Sequence, residues 1–99
     1  MTTQLTDTNF NQTATGQWLI MFSAPWAGPC NLVRPAFEEA AGRYGNSISF
    51  GEFVLDDNPE TPEKYGVRQV PLFMMFEDGK PTAVKVGAVP VEDILEMCA

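Results

Sequence analysis

In Ser23-Ala24-Pro25-Trp26-Ala27-Gly28-Pro29-Cys30 an apolar run ends, the chain turns, and an amphipathic helix begins. Trp18 to Phe22 lead into this stretch with apolar side chains at every position. Pro29 sits where a first helical residue loses nothing by lacking an N–H. A turn between a buried strand and a helix N-terminus presents one atom beside the positive end of the helix dipole. The atom with chemistry to offer there is the sulfur of Cys30.

Upstream, Gln17 to Ser23 reads as a strand apolar on both faces, with Trp18, Ile20 and Phe22 on one and Leu19 and Met21 on the other. Such a strand belongs in the middle of a sheet covered by helices on each side. Downstream, Leu32, Val33, Ala36, Phe37, Ala40 and Ala41 recur at helical spacing, opposite Asn31, Arg34, Glu38 and Arg43. Pro35 falls inside this helix, and Gly45-Asn46 ends it. Before the central strand, Leu5-Thr6-Asp7 reads as a short strand running into a helix cap, with Thr6 or Asp7 as N-cap and Phe10 as the helix anchor. After the long helix, Ile48 to Leu55 is a strand. Its faces are marked by Ile48, Phe50 and Val54 and by Phe53 and Leu55, with Glu52 breaking the second.

Asp56-Asp57-Asn58-Pro59 is a turn, Glu60 to Tyr65 a short helix closed by Gly66, and Leu72 to Phe76 a strand. Asp78-Gly79 signals a hairpin into Pro81 to Val86, an edge strand by its leading proline. Val91, Ile94, Leu95 and Cys98 form the apolar stripe of a last helix. The alternation of elements predicts an α/β fold in one domain over 1–99, a central mixed sheet flanked by helices on both faces.

Composition narrows the chemistry. A formal charge of −7 argues against nucleic acid and anionic membrane surfaces as partners. No apolar run approaches the roughly 18 residues of a membrane span. Met1-Thr2-Thr3-Gln4 has neither the basic segment nor the apolar core of a secretory signal, so the cytoplasm is the expected location. With two cysteines far apart and no histidine, a zinc site of ordinary spacing and a histidine-activated nucleophile are both excluded. No metal and no cofactor are expected, and covalent chemistry rests on a lone thiol.

The chain resembles the thioredoxin family over nearly its whole length. Trp26-Ala27-Gly28-Pro29-Cys30 is similar to that family's Trp-Cys-Gly-Pro-Cys loop, with Ala27 in place of the first cysteine. Leu5-Thr6-Asp7, Pro35, Asp56-Asp57-Asn58-Pro59, Lys64-Tyr65-Gly66-Val67-Arg68-Gln69-Val70-Pro71 and Lys85-Val86-Gly87-Ala88 carry the resemblance further. It implies a cis-proline at Pro71 facing the loop. It also implies a shallow groove, rimmed by Trp26, Gly28, Pro29, Val70, Pro71, Gly87 and Ala88, that takes an extended protein segment by strand-like pairing. A protein partner and a thioredoxin reductase are the implied partners of a monomer, and an exposed Cys30 would permit a disulfide-linked dimer.

The family reduces disulfides by attack of an exposed first cysteine, followed by attack of a second cysteine on the mixed disulfide. Ala27 has no sulfur, so this route is closed to the chain. Met21 stands where the family has a buried aspartate, Glu52 where it has a lysine, and Ser23 where a tryptophan covers the turn. Methionine cannot take a proton, and Glu52 reads as a partly exposed strand residue rather than a replacement base. Cys30 reads as a half-buried, inert thiol, although loss of the first cysteine is expected to open the surface above it. Cys98 reads as a small buried hydrophobe. Three functions fit these residues: a binding module without turnover, a monothiol acting through Cys30, and an active thioredoxin whose nucleophile has been changed to alanine.

Overall fold

The computed structural model describes residues 2–99; Met1, counted among the opening residues above, lies outside them. The elements in order are β1 (Thr2–Leu5), a short 3-10 helix (Phe10–Ala14), β2 (Gln17–Ser23), α1 (Gly28–Tyr44), β3 (Ser49–Val54), α2 (Glu60–Tyr65), β4 (Leu72–Glu77), β5 (Lys80–Val86) and α3 (Val91–Cys98). The strands form one sheet in the order β1-β3-β2-β4-β5. β3 runs parallel to both β1 and β2, while β4 runs antiparallel to β2 and β5. The two-faced apolar β2 is therefore the central strand of a mixed sheet, and β5 is an edge.

Alternation along β2 divides the core between the two faces. Leu19 and Met21 pack with Phe50, Phe73 and Met75 under Val33, Phe37, Ala40 and Ala41 of α1 and Ile94 of α3. Trp18, Ile20 and Phe22 pack with Phe53, Met74 and Phe76 on the opposite face, where Phe10 and Tyr65 close over them. Phe10 meets Phe53 and Phe76 edge-on, with ring centroids 5.8 and 5.6 Å away. Helices thus cover both faces, as the sequence pattern predicts.

Three local expectations are corrected. The first strand is Thr2–Leu5, and the segment after it forms a 3-10 helix with Asn9 at its N-cap and no side-chain cap. Asp7 instead accepts hydrogen bonds from the backbone N–H groups of Glu60 and Thr61 at 3.0 and 2.9 Å, holding the first turn of α2. Leu32, expected in the helical stripe, is 76% exposed. The stripe that is buried runs through Cys30, Val33, Phe37, Ala40 and Ala41, and Leu32 lies round the helix from it.

Candidate functional site

Strand register assembles the site. Phe22 pairs with Leu72 across the antiparallel β2–β4 ladder. The chain leaving β2 at Ser23 therefore lies beside the chain entering β4, which is Val70–Pro71. The peptide bond between those two residues is cis. Val70 packs against Ala24, Ala27 and Cys30, and these side chains form a small apolar cluster at the C-terminal end of β2. The Pro71 carbonyl accepts the N–H of Gly87 at 2.8 Å, which brings Gly87-Ala88 to the same end of the sheet. Gly87 is held at φ +97°, a conformation open to glycine and strained for other residues.

The loop turns through two backbone bonds, Ala27 N–H to Ala24 C=O and Cys30 N–H to Ala27 C=O, both 3.1 Å. Ala27 is the N-cap of α1 and offers no side-chain cap. Trp26 is 71% exposed, and its indole N–H donates to an Asp56 carboxylate oxygen at 3.2 Å. Gly28 and Pro29 are exposed beside it, Val70 is half-buried, and Ala88 is exposed. Trp26, Gly28, Pro29, Val70, Pro71, Gly87 and Ala88 thus come together at one end of the molecule.

Cys30 departs from expectation. Its surface is 0% exposed, where a half-buried thiol under an opened surface was expected. The cause is that Ala27, itself 8% exposed, packs down onto Cys30 with Ala24 and Val70 and leaves no gap. The exposure on which a disulfide-linked dimer through Cys30 depends is absent. Cys98 is half-buried against the α1–α3 side of the core, less enclosed than expected. Burial pushes its thiol up to about 11.

Glu52 is the partly exposed strand residue expected, and it is paired. It pairs with Met21 across the parallel β2–β3 ladder, next to Ser23. Its side chain is 13% exposed and fully engaged. The Arg34 guanidinium donates to both carboxylate oxygens, at 3.2 Å through Nε and 2.6 Å through Nη2. The hydroxyl of Ser23, a residue 0% exposed, donates to Oε2 at 2.7 Å. Burial pushes the Glu52 carboxyl up, but the hydrogen bonds from Arg34 and Ser23 and the Arg34 charge outweigh it and hold the group below its ordinary value. The Arg34 guanidinium is in turn raised, first by its hydrogen bond to Glu52. A carboxylate held in this way is a poor proton acceptor. It anchors the arginine that follows Cys30 by one helical turn.

Sequence reading had set Arg34 on the solvent face of α1. Two signals point the other way. Arg34 borders the buried stripe between Val33 and Phe37, and Glu52 shares the α1-facing side of β3 with Phe50 by simple alternation. Opposite charges on two elements that pack together are a pair waiting to form.

Comparison with known proteins gives one consistent result. A family model described as Thioredoxin matches residues 1–99. The chain is 40% identical over 96 residues to the thioredoxin of Rhodospirillum rubrum, covering 94% of this chain and 92% of that one. It is 40% identical over 88 residues to the thioredoxin of Pseudomonas aeruginosa, covering 86% and 82% of the two chains. With the thioredoxin of Pyropia yezoensis it shares 39% identity over 90 residues, covering 88% and 84%.

Proposed function

This chain belongs to the thioredoxin family, and on that footing we propose that it serves thiol–disulfide redox biology by holding extended protein segments, without running dithiol turnover itself. The observation that carries this reading is the pair of residues at the start of α1. The loop carries only the methyl of Ala27, itself 8% exposed, and the sulfur packed against it, Cys30, has no exposed surface. Disulfide reduction needs one thiolate at the surface to attack and a second to release the product. The loop supplies neither a first thiol nor a disulfide for a thioredoxin reductase to reduce.

The groove reading is supported by what surrounds Ala27. Trp26 is mostly exposed, and Val70 uses neither its N–H nor its C=O in turn, loop or side-chain hydrogen bonds among the described residues. A free donor and acceptor beside an exposed aromatic ring suit an extended segment that pairs through its backbone. One domain over 1–99, a monomeric state and a cytoplasmic location belong to the same proposal. The monothiol alternative is disfavoured by the enclosure of Cys30 and, among the described residues, by the lack of a free base beside it.

The test uses an unfolded protein whose thiols have been capped by carboxymethylation, so that only non-covalent capture is read. The chain should bind it, Trp26→Ala should weaken binding about tenfold or more, and Cys30→Ser should bind as the parent does. Capture that appears only with uncapped thiols and vanishes in Cys30→Ser would overturn the proposal in favour of a monothiol.

A further inference from the structure

Beyond Pro71 the surface continues into a second concavity. Leu72 and Val86 pair across β4 and β5 and floor a cleft of about 280 Å3, completed by Gly66, Arg68 and Gln69. Leu72 follows Pro71 and Val86 precedes Gly87, so this cleft adjoins the rim of the proposed groove. Leu72 is buried in this floor, but Val86 is 47% exposed, and Val84, two residues earlier on the same face of β5 and next to the cleft lining, is 49% exposed. β5 has no strand along its outer edge among the described residues.

Arg68 supplies the second observation. The chain has 13 acidic and 6 basic side chains, yet Arg68 makes no ion pair among the described residues. Among the described residues no carboxylate lines its cleft. The other end of the groove is charged oppositely, because Trp26 there is bonded to Asp56.

We propose that the Arg68 cleft extends the groove and takes, from the same bound segment, an apolar side chain next to an aspartate or glutamate. The apolar side chain lies on Val86 and Val84, and the carboxylate pairs with the guanidinium fork of Arg68. Asp56 at one end and Arg68 at the other give the segment a direction, with its acidic end at β5. In a protein of net charge −7, acidic segments are otherwise repelled, so a carboxylate is steered to this flank. The inference rests on the groove reading and adds the chemistry of the partner.

A phage-displayed library of random, cysteine-free peptides tests it. Selections are run on the parent, Trp26→Ala and Arg68→Glu, with the fold of each variant verified by its thermal transition. The parent should enrich peptides that place an acidic residue beside an apolar one. Arg68→Glu should keep the apolar position, exchange the acidic residue for lysine or arginine, and bind the parent's best peptides about tenfold or more weakly. Enrichment that needs Trp26 but shows no charge preference following Arg68 overturns the inference and leaves the groove standing. Enrichment equal on the parent and Trp26→Ala overturns the groove, and the inference with it.

Discussion

Ala27 and Cys30 stand one helical turn apart at the start of α1, and between them the loop offers solvent almost no chemistry. Their identities were plain in the sequence, but the closure of Cys30 was not, because it depends on Val70 arriving from a distant turn. Restoring the missing atom is informative about the surroundings. Ala27→Cys should give slow disulfide reduction with dithiothreitol, since Met21 accepts no proton and Glu52 is a weakened acceptor. Adding Met21→Asp should raise that rate about tenfold or more, toward the contribution of a positioned base; equal initial rates for the two variants would show that no base is needed. Cys98 makes a separate case. With its thiol pushed from 9.0 to about 11 by burial, at pH near 8 it holds roughly a hundredfold less thiolate than an ordinary cysteine. Timed alkylation with iodoacetamide, followed by mass spectrometry, should show Cys98 slowed by about that factor.

Packing of the elements decides which local signals survive. Asp7 looked like a cap for its own segment, yet its carboxylate holds Glu60 and Thr61, because capping needs only nearness in space. The 3-10 helix was hard to foresee: Phe10 is its one large apolar anchor, and one anchor does not fix a period. The Ser23–Glu52–Arg34 cluster likewise draws on β2, β3 and α1, so no single element reveals it. Glu52→Gln should cost about 1–2 kcal/mol in urea unfolding near neutral pH, an amount limited by the 34% exposure of Arg34. Because the folded carboxyl lies below its ordinary 4.5, the parent's advantage is full above that pH and is lost as pH falls below it. The two proteins should therefore converge in acid, and a constant difference there would contradict the assignment. On the other side of β3, a methyl at Gly51 would strike the buried Leu5 side chain and crowd Trp18. Gly51→Ala should lower stability by about 1–3 kcal/mol, read from the shift in the urea midpoint.

For the molecule as a whole, architecture was the most readable property. A strand apolar on both faces can satisfy itself only at the centre of a covered sheet, and β2 occupies that place between β3 and β4. The same topology sets the end of β2 beside Val70–Pro71, so the meeting of the loop with that turn follows from strand order and register. The cleft beside Pro71 was not readable in this way, since Arg68, Leu72 and Val86 come together only once β4 and β5 have paired. Among the described residues no helix is long and apolar enough to cross a membrane. The absence of dithiol turnover is the claim on which the functional account stands. Its direct measurement is the initial rate at which dithiothreitol reduces a protein disulfide with and without the unmodified chain. The rate should be the same in both; acceleration that the chain provides and Cys30→Ser abolishes would contradict the account and make Cys30 a working thiol.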